Sequence, residues 1–223
     1  MNTQTCENLI LTNQDYTIYY DLNRPLCFVG NTKYNNMLYQ YWNTRQSCQL
    51  LSLEEVVNHG QAWIDQHQFI CAVSNINFKY FVVEKLKQFC PHYFSVVGVG
   101  NLFANTNIGK GTFIQNYNTA TCNNITVGDH CTISSFTHLS HNTTVGNYCH
   151  ISSYNFINYA DLGNGNLLAV RCNILGKPNH TLSIAPNCNF MLGSTVTNPI
   201  VNSGTYFGNR QINQNTSLQV KIL

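Results

Sequence analysis

Charge is scarce in this chain. Asp, Glu, Lys and Arg make up 9% of its 223 residues, and the formal net charge is +2, against roughly a quarter charged residues in an average soluble domain. A duplex-binding surface needs clustered Lys and Arg to neutralise phosphates, so no nucleic-acid partner is expected. Long apolar runs are also missing. No stretch approaches the roughly 18 apolar residues of a membrane-spanning helix, so no membrane partner is expected. The opening residues Met-Asn-Thr-Gln-Thr-Cys-Glu lack the basic start and apolar stretch of a signal peptide. This reading places the protein in the cytoplasm, with its ten cysteines as reduced thiols. No Cys-x-x-Cys pair occurs, and no metal is expected.

The length accommodates one large domain or two small ones, either able to bury a real core. Uncharged polar residues fill the place of charge, about thirty of them Asn. Asn favours turns and caps over helix interiors, so a mainly helical protein is a poor fit.

From about residue 100 the apolar residues recur with a period of six. Val127, Ile133, Leu139, Val145, Ile151 and Ile157 head successive hexads. Earlier hexads begin at Leu102, Ile108 and Ile114, before a one-residue slip, and later ones at Leu162, Leu168, Ile174, Ile184, Phe190 and Val196. Neither a 3.6-residue helix period nor strand alternation produces this. The fifth position is small: Thr106, Thr112, Cys131, Thr137, Thr143, Cys149, Cys172, Cys188 and Ser194. An aliphatic first residue and a small fifth one predict a narrow coil with two inward positions per side. Cys131 and Cys149 should stack on successive coils as buried structural thiols. The extra residues between Ile174 and Ile184 (LGKPNHTLS) predict a loop.

Residues 1–99 read as a small parallel α/β unit. Pro25–Gly30 and Phe69–Val73 are buried-strand candidates, and Tyr34–Trp42 has helical apolar spacing. Ser52 and Glu55 form a capping box. Asn77–Phe89 reads as a helix burying Phe78, Phe81, Val82 and Leu86, and Tyr93–Val97 as a strand leading into the coils. Leu9–Leu11 and Tyr16–Tyr20 can be strands of an N-terminal extension. Between Trp42 and Ser52 little room is left for a further strand.

The solenoid half holds two carboxylates, Asp129 and Asp161, and no Glu. Proton transfer near neutral pH therefore falls to histidine. His130, His138 and His180 read as structural corner residues.

The hexad pattern resembles the hexapeptide-repeat proteins, whose chains wind into a left-handed parallel β-helix with three hexads per coil. The resemblance covers about 100–212, leaving 213–223 as a C-terminal tail, and SGTYFGNRQ (203–211) is similar to the exit sequence of hexapeptide acyltransferases. An α/β unit (1–99) before such a β-helix (100–212) resembles one branch, the nucleotide-amino-sugar N-acetyltransferases and sialic-acid O-acetyltransferases. LSHNTTVGNYCHIS (139–152) carries the key match. The resemblance makes His141 the general base and puts His150 beside the thioester. Asn142 stands where the family commonly has an acidic residue. An amide can orient the ring but cannot balance an imidazolium.

The resemblance further implies acetyl-CoA as cosubstrate, contacted at Tyr159, Val170 and Gly193, with Lys177 of the loop near a CoA phosphate. It implies a homotrimer with sites between subunits. It places the diphosphate of a nucleotide-sugar substrate against the turn Gly30-Asn31-Thr32-Lys33, with Ser74 and Asn75 as further contacts. The family's second strand, ending in an acidic residue, is expected to be missing. The leading expectation is an N-acetyltransferase of a nucleotide-linked amino sugar in surface-glycan biosynthesis. The alternatives are a sugar or sialic-acid O-acetyltransferase and a non-catalytic binding or assembly solenoid. A metal enzyme of the γ-carbonic-anhydrase type needs three converging histidines, and His138, His141 and His150 do not have that spacing.

Overall fold

The computed structural model describes residues 9–12, 16–21, 23–43, 47–103, 106–120 and 122–212. The expected tail at 213–223 lies outside the described residues. The chain builds a small parallel α/β unit and a three-faced parallel β-solenoid, the left-handed β-helix that the hexads announce. Among the described residues no helix is long and apolar enough to cross a membrane.

In chain order the first elements are β1 (Leu9–Thr12), β2 (Tyr16–Tyr20), β3 (Leu26–Val29), α1 (Lys33–Trp42), β4 (Cys48–Leu51), α2 (Leu53–His59), α3 (Gln61–Ile64), β5 (Gln68–Ile70), α4 (Ile76–Lys87), β6 (His92–Tyr93) and β7 (Ser95–Gly98). The α/β sheet runs β4-β3-β5-β6, all parallel. All four residues of β3 are buried, as expected of an apolar strand covered on both faces. Each of the longer helices starts where a polar side chain caps it. Thr32 accepts from the Asn35 amide and Asn75 from the Phe78 amide. Ser52 and Glu55 form both arms of the predicted capping box.

Three expectations need correction. A second strand is present: β4 pairs with β3 from Leu26–Cys48 to Val29–Leu51. It escaped notice because it is a four-residue edge strand, mostly half-buried and interrupted by Gln49. It ends at Leu51 without a carboxylate, and the nearest acids, Glu54 and Glu55, lie in the first turn of α2. The expected strand Tyr93–Val97 serves two sheets. β6 closes the α/β sheet, β7 opens the solenoid, and buried Phe94 joins them. Helix α4 buries Lys79, Val82, Val83 and Leu86, whereas Phe78 and Phe81 are 38% and 50% exposed. The helix is covered on two sides, and its second covered side faces the solenoid through Lys79.

The solenoid faces stack by parallel pairing. The first carries Phe113–Ile114, Thr132–Ile133, His150–Ile151, Leu167–Leu168 and Cys188–Phe190. The second carries Thr119–Ala120, His138–Leu139, Phe156–Asn158 and Asn173–Leu175. The third carries Ile125–Val127, Thr143–Val145, Ala160–Leu162 and Leu182–Ile184. The slip falls between Thr106 and Ile125, and the predicted loop between Ala160 and Leu182. The hairpin β1–β2 pairs antiparallel with β7 and extends the first face at its lower end. At the upper end, Gly204–Phe207 turns back on Arg210–Gln211.

The hexad heads from Ile114 onward form one continuous core with Cys131, Cys149, Cys172 and Cys188, all free thiols; Ile108 packs against it, whereas the expected head Leu102 is 61% exposed and its neighbour Phe103 packs against the core instead. Cys131 and Cys149 direct their thiols to the carbonyls of Gly146 and Gly163. Three asparagines share the inward fifth position: Asn118, Asn155 and Asn166 are buried. Each spans two coils. The Oδ1 atoms accept from the amides of Thr137, Cys172 and Cys188 at 2.6–2.7 Å, and the Nδ2 groups donate to the carbonyls of Gln115, Ser152 and Gly163. Part of the asparagine excess is therefore internal stitching. The residues at the tight corners adopt positive φ even when bulky, including His130, Phe136, Asn142, Tyr148, Tyr154 and Tyr159, a region open to few non-glycine residues.

Helix α4 lies over the first face. Lys79, fully buried, donates from Nζ to Thr132 Oγ1 at 2.6 Å, and Thr132 Oγ1 donates to the Val73 carbonyl at 3.1 Å. Around it are His130, stacked on Tyr148 and edge-on to Tyr93, and His150, whose Nε2 is 3.3 Å from Ser152 Oγ. The Nδ1 atoms of both histidines are buried without a hydrogen-bond partner. Burial first, and the Lys79 cation second, push both imidazoles down to about 3.

Two stability predictions follow from this packing. Replacing Asn155 with Ala orphans the Cys172 amide, while the Ser152 carbonyl keeps its bond from the Thr137 hydroxyl, at a cost of about 1–3 kcal/mol, visible as a lower thermal unfolding midpoint. His130 and His150 are neutral when folded and titrate from 6.5 when unfolded. The unfolded state thus binds the extra protons, and stability falls as pH drops from about 6.5 towards 3, by up to about 1.4 kcal/mol per pH unit for each histidine. Urea unfolding across this range should show a shallower loss for His150→Leu.

Candidate functional site

The α/β sheet has one topological switch point. From β3 the chain moves to β4 on one side and then crosses to β5 on the other. Crevices at the carboxyl ends of such strands are the usual ligand sites of parallel sheets. Here a cavity of about 500 Å³ opens there, lined by Asn31, Thr32, Lys33, Tyr34, Val73, Ser74, Asn75 and Phe78. The amino-terminal ends of α1 and α4 both border it, and unpaired amides at helix starts favour an anion.

Four of the sequence-identified residues, Asn31, Thr32, Ser74 and Asn75, therefore meet in one cavity although they come from two separate loops. Gly30 stands just behind them. Its φ is +95°, and a Cβ there would lie 3.1 Å from the Phe78 ring, so the turn needs glycine. Lys33, the last residue of the predicted turn and the first of α1, supplies the cavity with a cation. One feature escaped the sequence reading. Buried Asn35 fastens the two loops together: its Nδ2 donates to the carbonyls of Val29 and Gly30 at 2.6 and 2.9 Å, and its Oδ1 accepts from the Ala72 amide at 2.9 Å. The Thr32 hydroxyl adds a second tie to the Ala72 carbonyl.

The other candidate residues lie on the solenoid. His141 is exposed at the corner between the second and third faces. Tyr159 is one coil above it, its ring stacked on the imidazole at 5.5 Å and its amide bonded to the His141 carbonyl at 2.8 Å. The loop bearing Lys177 continues the column. Gly176 and Leu182 donate to the carbonyls of Asn158 and Tyr159, and Lys177 and His180 close a small bridge. A Cβ on Gly176 would meet the Tyr159 carbonyl at 1.9 Å, which explains the glycine. The Lys177 side chain is exposed.

Val170 and Gly193 occupy the opposite edge of the second face, on successive coils, with the Gly193 amide donating to the Val170 carbonyl at 3.0 Å. Space above Gly193 is open: a Cβ there would meet nothing within 4 Å. His141, Asn142, Tyr159 and Lys177 thus flank one side of the second face, and Val170 and Gly193 the other. His150 does not join them. It lies on the first face beneath α4 at 6% exposure, so one chain does not bring it to the same surface as His141.

Asn142 turns away from the imidazole, its Oδ1 accepting from Asn124 at 3.0 Å. The His141 Nε2 instead lies 3.5 Å from the half-buried Cys122 thiol, one coil below. Cys122 Sγ is also 3.7 Å from Ser140 Oγ. Cys122 was missed because it falls in the slipped coil, outside the hexad register. His138, on the second face, hydrogen-bonds Thr119 Oγ1, and its imidazole is pushed down by burial and by the neighbouring His141. Among the described residues no three His, Cys, Asp or Glu side chains gather to hold a metal.

No family model matches the chain, and no curated protein matches it in sequence. Solved structures do resemble it. The acetyltransferase domain of PglB from Neisseria gonorrhoeae FA1090 superposes with a TM-score of 0.72 at 12% identity, over 85% of this chain and 99% of that one. The same domain in complex with acetyl coenzyme A gives 0.71 at 12% identity, over 85% and 98%. A mutant of GDP-perosamine N-acetyl transferase from Caulobacter crescentus, in complex with CoA and GDP-perosamine, gives 0.70 at 10% identity, over 84% and 95%. The chain has the fold of these acetyltransferases, a small α/β unit followed by a left-handed β-helix.

Proposed function

We propose that this chain is a cytoplasmic acetyl-CoA-dependent N-acetyltransferase acting on a nucleotide-linked amino sugar, in the service of surface-glycan biosynthesis. The cavity at the switch point carries this reading. Two helix starts and Lys33 suit a diphosphate, and the apolar walls Tyr34, Val73 and Phe78 suit the remainder of a nucleotide. Asn31, Thr32, Ser74 and Asn75 offer hydrogen bonds to its phosphates or sugar. The names of the structural neighbours, with acetyl coenzyme A and GDP-perosamine bound, point to the same substrate classes.

Acetyl-CoA fits the second face. Gly193 leaves its backbone open beside Val170, and Tyr159 and Lys177 line the other edge. The sugar amine attacks the thioester carbonyl, and His141 takes the amine proton as CoA leaves as a thiol. Since His150 is sealed beneath α4, the developing oxyanion falls to a backbone N–H at a corner. The corner of His141 is the vertex opposite the first face, which α4 covers. A cavity and a histidine on opposite sides of one chain need a second copy to meet, which supports the homotrimer. The exposed stack of Tyr117, Phe136 and Tyr154, with centroids 5.5 and 5.1 Å apart, and Leu102 at 61% exposure provide apolar surface for such an interface.

Thiol release from acetyl-CoA with a panel of 4-amino nucleotide sugars tests the reading. An amine acceptor should give release, and His141→Ala should lower kcat by about 10²–10⁴-fold. Release with hydroxyl acceptors alone would make it an O-acetyltransferase, and no acyl-CoA binding at millimolar concentration would leave a non-catalytic solenoid. Lys33→Ala should raise KM for the nucleotide sugar about tenfold, the loss of one charge-assisted contact of about 1.4 kcal/mol, with kcat little changed.

A further inference from the structure

We infer that the buried ammonium of Lys79 is the internal cation of the switch-point cavity, a positioning residue whose countercharge is the diphosphate of the bound nucleotide. The inference rests on the nucleotide-sugar reading of that cavity. Its ground is a cation that the protein leaves without an anion. Lys79 is 0% exposed, and its ammonium donates to the neutral hydroxyl of Thr132 at 2.6 Å. Among the described residues no carboxylate lies within ion-pair distance of it. Glu84, the one acid of α4, pairs with Lys87 at 3.5 Å, and Asp129 accepts from the Lys110 amide.

The other titratable groups around Lys79 supply no negative charge. Cys71, just after β5, is kept neutral by burial, which pushes its thiol up to about 12. Cys131 and Cys149, from the solenoid, direct their thiol protons to the carbonyls of Gly146 and Gly163 at 3.0 and 3.4 Å. His130 and His150 are neutral imidazoles, held there by burial and by Lys79 itself. Burial also pushes up the phenols of Tyr93 and Tyr148, which flank His130.

Position adds a further cost. Helix side chains lean toward the amino end. The Lys79 ammonium accordingly lies by the start of α4, reaching the Val73 carbonyl through Thr132 Oγ1, and the helix dipole opposes a cation there. Burial, the missing countercharge and the dipole all act against one group. A single ligand relieves all three. A diphosphate in the cavity brings negative charge to the starts of α1 and α4, and the ammonium stands two hydrogen bonds behind the cavity wall at Val73. The Lys79 amide also closes the first turn of α4 on the carbonyl of Asn75 at 3.0 Å, a second cavity residue. Lys79 therefore sets both the field behind the wall and the place of the wall.

Proton linkage provides the test. Burial holds the ammonium of the free protein at about 8, and a bound diphosphate favours its charged form. Binding at about pH 8 should take up about half a proton, and affinity should fall about fourfold from about pH 7 to about pH 8.5. Calorimetry with UDP-glucose and GDP-mannose, in buffers of different ionisation enthalpy, reads both quantities on the wild-type protein. Neither probe carries an amine or a phosphate that titrates in this range. Lys79→Met and Lys79→Gln, each checked for cooperative unfolding, should bind more weakly at about pH 7 and lose the proton uptake. Lys33→Ala should bind more weakly and keep it. Binding without proton uptake would overturn the inference and leave the nucleotide reading standing. Uptake that survives in both Lys79 variants would overturn it as well. Failure of both probes to bind at millimolar concentration would overturn the nucleotide reading itself.

Discussion

Coil-on-coil hydrogen bonding governs this molecule. Between its two ends, each short strand of the solenoid pairs with the strand one coil below and the strand one coil above. The solenoid is therefore a one-dimensional stack, with stability built from nearest-neighbour contacts. Such a stack has tight corners, and each corner leaves backbone groups that its own coil cannot pair. Asn118, Asn155 and Asn166 solve this from within, spanning two coils with one amide group each. Outside, Asp129, Asn147 and Asn164 form a second ladder, with Asp129 accepting from the Lys110 amide, Asn147 from Asp129 and Asn164 from Asn147. Five of these six side chains are amides, which do this work without introducing charge, so an asparagine-rich, charge-poor composition suits the architecture.

Stacking also turns sequence positions into columns. A side chain at a corner meets its counterparts on the adjacent coils, whatever lies between them in sequence. Cys122, His141 and Tyr159 form one such column, Tyr117, Phe136 and Tyr154 another. The candidate chemistry follows from this geometry. His141 acquires a thiol below and an aromatic ring above because the coil repeat puts them there.

The parts legible in the sequence are those carried by local pattern. The hexads announced the solenoid because each inward position repeats. Ser52 and Glu55 announced a helix start, and Gly30-Asn31-Thr32 with Ser74-Asn75 marked the two loops that line the cavity. What stayed hidden depends on contacts distant in sequence. Strand β4 exists because β3 pairs with it, not because Cys-Gln-Leu-Leu has a strong preference. Phe78 and Phe81 looked like the buried face of α4. Lys79 takes that place because Thr132, from another part of the chain, offers an acceptor. Asn35 is indistinguishable from a surface asparagine until its three backbone partners are seen. Cys122 lies where the hexad register slips, so periodicity alone could not place it.

Lys79 links the two halves in a way that bears on the cavity. Burial pulls its ammonium down to about 8, and its hydrogen-bond acceptor is a neutral hydroxyl. Burying a cation on these terms is unfavourable, so the surrounding packing must hold it there. That hydroxyl, on Thr132, also donates to the carbonyl of Val73, which lines the cavity. The loop from β5 to α4 is thus tied to the solenoid on one side and, through Asn35, to the loop after β3 on the other. A cavity wall fixed at both ends can present the start of α4 at a set distance from the start of α1. In a chain with so few cations, the arrangement of helix starts and backbone amides supplies much of the field that an arginine cluster would provide elsewhere. The rigidity that Lys79 and Asn35 impose is therefore a condition for anion binding as well as for the fold.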